Sequence, residues 1–197
     1  AIEKDTKEWV CAKKKFRIAA VVCLFAATAF AASPLDVFKG QKGKIDIAGG
    51  TAHIPVMREA AKRIMGANPD IRITVAGGGS GVGVKQVGEG LVEIGNTGRP
   101  LKKDEVEKYG LETFPFAIDG VAVVVNPANK VEELSFEQLI DIYAGKVTNW
   151  KEVGGEDAEI NLYVREDGSG TREVFTDKAI KKNSVTAKAN VVNSNGA

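Results

Sequence analysis

From residue 43 onward the apolar positions switch between two spacings, and the switching sets out a series of short strands and helices. "KIDIA" (44–48), with Ile45 and Ile47 two positions apart, reads as a strand. After "GGTAHIP", Val56, Met57, Ala60, Ala61, Ile64 and Met65 recur at one-turn spacing and predict a helix to about Gly66. "DIRITVAG" alternates strictly and predicts a second strand. "GGSG" then opens a helix over about 81–90, and "LVEIGNT" predicts a third strand. Lys102 to Tyr109 reads as a short helix stopped by Gly110. "FPFAIDGVAVVVN" (114–126) is expected to be a buried pair of strands or one long crossing segment. Ser135-Phe136-Glu137-Gln138 is a capping box whose helix runs to Ala144, with Gly145 as terminator. "AEINLYV" predicts a strand, Thr171 to Lys182 a helix, and "ANVVN" (189–193) a last strand.

Strands alternating with helices argue for open α/β sheets. The break near 115–120 predicts two lobes, 44–117 and 118–197, after a linker at 32–43. The chain stops just past a strand with no closing helix, so the second lobe is expected to be incomplete.

Composition changes this picture mainly at the N-terminus. With 197 residues, 44% hydrophobic and 27% charged, the chain has enough apolar surface for a core. A net charge of +1 provides no field for nucleic acid. "KKKFR" (13–17) precedes the apolar run "IAAVVCLFAATAFAAS", which ends in Ala29-Phe30-Ala31. A basic start, a short apolar run and small residues two apart describe a secretory signal peptide over 1–31. Cleavage is expected near Ala31 or Ala32, which makes the protein exported; a membrane anchor helix is the other reading of the same run. Both cysteines, Cys11 and Cys23, leave with that segment, so neither a disulfide framework nor a Cys metal site is expected. Cys23 as a lipid-attachment residue lacks the usual small-residue lead-in.

Three predicted helix starts share one chemistry. Thr51 follows Gly49-Gly50, Ser80 follows Gly77-Gly78-Gly79, and Ser169 and Thr171 are interleaved with Gly168 and Gly170. Each puts a hydroxyl and unpaired backbone N–H groups at the positive end of a helix dipole. Glycine lets the backbone approach a ligand closely, and such ends bind tetrahedral anions. Any one of these turns is explained as an N-cap alone; three at strand-to-helix turns of one α/β chain favour an anion site.

Competing motifs fail on spacing. "GGGSGVGVKQ" is not a P-loop, because Val84 stands where Lys is required and Gln86 where Ser or Thr is required. "DGSGT" is not a nucleophile elbow. The sole histidine, His53, is better read as a surface or packing residue than as a catalytic base. Glu166 and Asp167 are adjacent in a turn, with nothing to fix a carboxylate separation for acid–base work.

Taken in order, "GGTAHIP", "GGGSGVGVKQV", "IGNTGRPL", "YAGKVTNWKEVGG" and "VREDGSGTREVF" resemble the periplasmic phosphate-binding proteins that feed bacterial phosphate ABC transporters. The resemblance runs from about Lys44 to the end. It implies a type II periplasmic-binding-protein fold, with two α/β lobes joined by a hinge and closing on one dehydrated phosphate. By position, Thr51, the Ala52 amide and Ser80 would bind phosphate from the first lobe, and Arg165, Ser169, Gly170 and Thr171 from the second. Asp167 matches the residue that pairs with the binding arginine, here Arg165. Some members carry an Asp in the segment matching "NTGRP", where its carboxylate accepts the phosphate proton and rejects sulfate. Gly98 stands there in this chain, followed by Arg99, which could contact the anion or the lobe interface. The resemblance implies no enzyme activity, cofactor or metal, and a monomer whose partners are phosphate and membrane permease subunits. A receptor for sulfate or molybdate, or an exported phosphatase using Ser169, remains as an alternative.

Overall fold

Ile47, Ile71 and Ile73 put branched side chains on one face of two neighbouring strands, and the first core forms there. The computed structural model describes residues 33–197. The signal-peptide reading, both cysteines and the cleavage site lie outside the described residues. Pro34–Ala197 form one compact unit.

β1 (Gly43–Gly49) lies between β2 (Ile71–Gly78) and β3 (Ile94–Asn96), and all three run parallel. α1 (Ile54–Ala67) crosses from β1 to β2, and α2 (Ser80–Gly88) from β2 to β3. Pro55 sits in the first turn of α1, where a missing N–H costs nothing. Ala61 is buried in the core, with Met57, Ile64 and Met65 packed beside it. Val56 and Ala60, expected on the same face, are exposed. They form the adjoining stripe of the helix, which a narrow three-stranded sheet does not reach. α2 lies so close to β1 that a Cβ on Gly83 would meet Asn96 O at 2.5 Å and Gly49 Cα at 2.8 Å.

α3 (Lys103–Tyr109) ends, as expected, on Gly110 in the left-handed conformation, φ 59°. The segment 114–126 departs from expectation. Among the described residues it forms no strand, and its side chains are exposed, including Phe114, Ile118 and Val124. A strand needs a partner for its N–H and C=O groups, and neither described sheet extends to this segment. A cavity of about 500 Å³ separates Val121–Asn126 from the second sheet.

The second sheet pairs β4 (Tyr163–Arg165) in parallel with β5 (Asn190–Val192). α4 (Phe136–Tyr143) starts at the expected capping box: Ser135 Oγ accepts from Gln138 N at 3.1 Å, and Gln138 Oε1 from Ser135 N at 2.8 Å. α5 (Gly170–Lys178) follows β4, and Leu139, Phe175 and Ile180 make the second core. Both flanking expectations were too long. Of "AEINLYV" only the end joins the ladder, with a single bridge from Asn149 to Glu159 ahead of it. α5 stops before Lys182 because the chain turns to bury Ile180 completely, which puts Lys181 and Lys182 at φ 51° and 64°.

Candidate functional site

β1, β2 and β4 each run into a glycine-rich turn and then a helical start, so the three hydroxyl-bearing turns lie at carboxyl ends of parallel strands. Gly79, at φ 85°, donates its N–H to Gly49 O at 3.1 Å and ties the second turn to the first. Ser80 is buried, and its Oγ accepts from Gly98 N at 3.0 Å. From the second sheet, Gly168 O accepts from Gly81 N at 3.0 Å. Gly170 faces Ser80 so closely that a Cβ there would collide with Ser80 Oγ. Ser169 is buried and caps α5, its Oγ accepting from Arg172 N at 3.3 Å. Ser80, Gly98, Ser169 and Gly170 therefore meet at one junction.

Thr51 opens a short 3-10 turn, Thr51–His53, ahead of α1. Its methyl lies 3.2 Å from where a Gly77 Cβ would be, which places it beside the end of β2. Its hydroxyl is bonded to Asn195, donating to Oδ1 at 3.1 Å and accepting from the backbone N–H at 3.2 Å. Ala52 is exposed beside it, and Thr171 is half-buried in the first turn of α5.

Arg165 ends β4 with a side chain only 10% exposed. Its partner is not the expected Asp167 but Glu166, which takes a two-pronged fork on Nε and Nη2, each at 2.9 Å. Asp167 projects at the tip of the turn, 96% exposed, and pairs with Arg172 Nη1 at 3.2 Å. The glycine turn rotates Asp167 away, whereas the neighbouring Glu166 lies along the guanidinium edge. Burial pushes the Glu166 carboxyl up, but the Arg165 fork, a backbone hydrogen bond and the charges of Arg165 and Arg172 together hold it below its ordinary value. Arg172, which the turn's sequence leaves without a clear task, donates to Arg165 O at 2.8 Å and fixes the end of β4.

Arg99 is the most enclosed charge of the group, its side chain 6% exposed. It forks onto Glu105 at 2.7 and 2.8 Å and donates to Pro100 O at 3.0 Å. Its Nε lies 2.9 Å from Glu173 Oε2 without hydrogen-bond alignment, and Lys102 Nζ reaches the same oxygen at 2.9 Å. Its Nη groups are engaged by Glu105 and Pro100 O and its Nε faces the Glu173 carboxylate as an ion pair, so Arg99 joins the α3 region to α5. His53 Nδ1 donates to Gly50 O at 3.3 Å and its ring packs edge-on against Phe116, with centroids 5.6 Å apart. A Cβ at Gly98 would have His53 Cε1 at 3.7 Å and Ser80 Oγ at 4.0 Å, so a side chain could start there beside the junction without collision.

Sequence reasoning missed Glu166 as the arginine's partner, and Glu105, Glu173 and Asn195 altogether. Glu105 had a signal: it stands at the third position of α3 and accepts from Lys102 N at 2.8 Å, a reach-back found at helix starts. Glu173 and Asn195 act through contacts remote in sequence and carry no local signature.

The family model of the PBP superfamily domain matches residues 37–196. The phosphate-binding protein PstS of Bacillus subtilis is 40% identical over 149 residues, which is 74% of this chain and 50% of the relative. Protein SphX of Synechococcus elongatus is 32% identical over 181 residues, 86% of this chain and 54% of the relative. A Clostridium perfringens structure, a putative phosphate ABC transporter substrate-binding protein with bound phosphate, superposes with a TM-score of 0.72 at 39% identity, covering 78% of this chain and 63% of that one. An ABC-type phosphate transport receptor from Vibrio cholerae gives 0.62 at 39% identity, covering 77% and 64%. The chain spans about half the length of the curated relatives it matches.

Proposed function

Because the chain belongs to the PBP superfamily, we propose that it binds inorganic phosphate between two α/β lobes, 44–117 and 118–197, and delivers it to an ABC importer. The observation that carries the reading is the meeting of Ser80 with Gly170, reinforced by the Gly81-to-Gly168 hydrogen bond. Two helix starts from different sheets abut there, and their dipoles add at one point.

In this reading Thr51, the Ala52 amide and Ser80 bind from one side, and Arg165, Ser169, Gly170 and Thr171 from the other. Arg165 carries the compensating positive charge, and Glu166 rather than Asp167 aims it. The Glu166 fork occupies one edge of the guanidinium and leaves outer N–H groups for the anion. Arg99 acts as a clasp between lobes. The protein is a monomeric receptor without catalytic activity, works in the periplasm, and hands phosphate to membrane permease subunits.

Equilibrium dialysis with labelled phosphate tests the reading: saturable retention is expected, and its absence overturns it. A second reading, a receptor for another tetrahedral oxyanion, is favoured by one observation. The site has Gly98 where an acceptor for the phosphate proton would stand, so nothing at that position rejects sulfate. Sulfate and molybdate as competitors in the same dialysis decide between them.

A further inference from the structure

β5 pairs in parallel with β4, with Val192 opposite Arg165, so the loops that follow the two strands leave the same edge of the sheet side by side. Glu166 N donates to Val192 O at 3.1 Å and holds the two loops together. One of these loops carries the Arg165 and Ser169 turn. The other carries Asn195, which crosses to Thr51, 144 positions away in the chain.

A threonine hydroxyl has a single proton. In this structure Thr51 Oγ1 accepts from Asn195 N at 3.2 Å and directs its proton to Asn195 Oδ1 at 3.1 Å. The backbone N–H occupies a lone pair of the hydroxyl whatever the side-chain amide does. Thr51 can donate to an anion only when its proton turns away from Oδ1. A half-rotation of the Asn195 amide then exchanges its oxygen for its NH2 group and gives a second donor on the same side.

We infer that Asn195 is a further binding residue for the tetrahedral oxyanion: it orients Thr51 through its backbone and adds a neutral amide donor from the loop after β5. The inference rests on the oxyanion-receptor reading above. A neutral donor suits this place because it supplies a hydrogen bond without adding charge to a site whose positive charge comes from Arg165.

The test is calorimetric titration with inorganic phosphate of the protein, Asn195→Asp and Asn195→Ala, with thermal melts of all three. An aspartate can take the Thr51 proton as the asparagine does, but it cannot donate and turns a negative charge toward the anion. Asn195→Asp is expected to weaken binding roughly a hundredfold or more, and Asn195→Ala only about three- to tenfold, the loss of a single hydrogen bond. If Asn195→Asp binds phosphate like the unaltered protein, Asn195 is a tether alone and the inference is overturned. Equal losses in the two variants overturn it as well, because the charge would then be immaterial. If the unaltered protein binds no oxyanion, the reading beneath the inference falls and the inference falls with it.

Discussion

Ser80 Oγ and Gly170 contend for the same small space, so the junction tolerates no side chain on the second partner. Gly170→Ala forces the turns apart and is expected to cost about 1–3 kcal/mol from overpacking; a thermal melt together with the phosphate titration measures both effects. Arg165→Ala removes the compensating charge of the proposed site and leaves Glu166 without its fork, and phosphate affinity is expected to fall roughly ten- to hundredfold. Unchanged affinity in that variant would remove Arg165 from the site. Acid should act on the same pairs. The Glu105 carboxyl is held below its ordinary value by the Arg99 fork, and that of Glu166 by its fork with Arg165 against the upward push of burial. A carboxyl lowered on folding contributes stability above its unfolded value and loses it as pH falls through its depressed folded value. Melting temperature should therefore drop on the acid side of the ordinary carboxylate range, and Glu105→Gln should flatten that drop. At this scale the turns at Thr51, Ser80 and Ser169 were legible because glycine and hydroxyl mark a helix start locally, whereas Arg165 entered only through the family resemblance. Asp167 was misassigned, because which of two adjacent acids lies along a guanidinium depends on the turn's rotation.

The helices and central strands were legible because period and caps are local signals: β1, β2, α1 and the Ser135 capping box all stand where periodicity placed them. Strand lengths were not, because a ladder ends where its partner ends, and the partner is remote in sequence. The segment 114–126 is the clearest case. Its continuous apolar run is strand-like, yet the exposed segment has neither described sheet to join. Hydrogen exchange should show the amides of 121–125 exchanging far faster than those of Ile45 and Ile73 in the first sheet; equal protection would mean that the segment is paired. The contact between α3 and α5 regions is also an element-scale device. Glu173→Gln weakens the ion pairs from Arg99 and Lys102, and because the site is part-exposed the expected cost is about 1 kcal/mol in the melt. Phosphate release should quicken in that variant in stopped-flow, since the clasp spans the two halves of the proposed site.

For the whole molecule, two sheets meet through backbone at Gly81 and Gly168, through side chains at Arg99 and Glu173, and through Thr51 and Asn195. A ligand held among these three contacts binds the assembled form, so by linkage it should raise the melting temperature in proportion to the logarithm of its concentration. The α/β class was readable from alternating periods, whereas the order β2-β1-β3 and the pairing of β4 with β5 depend on contacts no local pattern encodes. In the proposed function the junction at Ser80 and Gly170 is a phosphate site. The most direct measurement is calorimetric titration of phosphate into the unaltered protein and into Ser80→Ala and Arg165→Ala. Saturable one-to-one binding, weakened in both variants, is the predicted result; absent binding, or binding equally tight in all three, would contradict it.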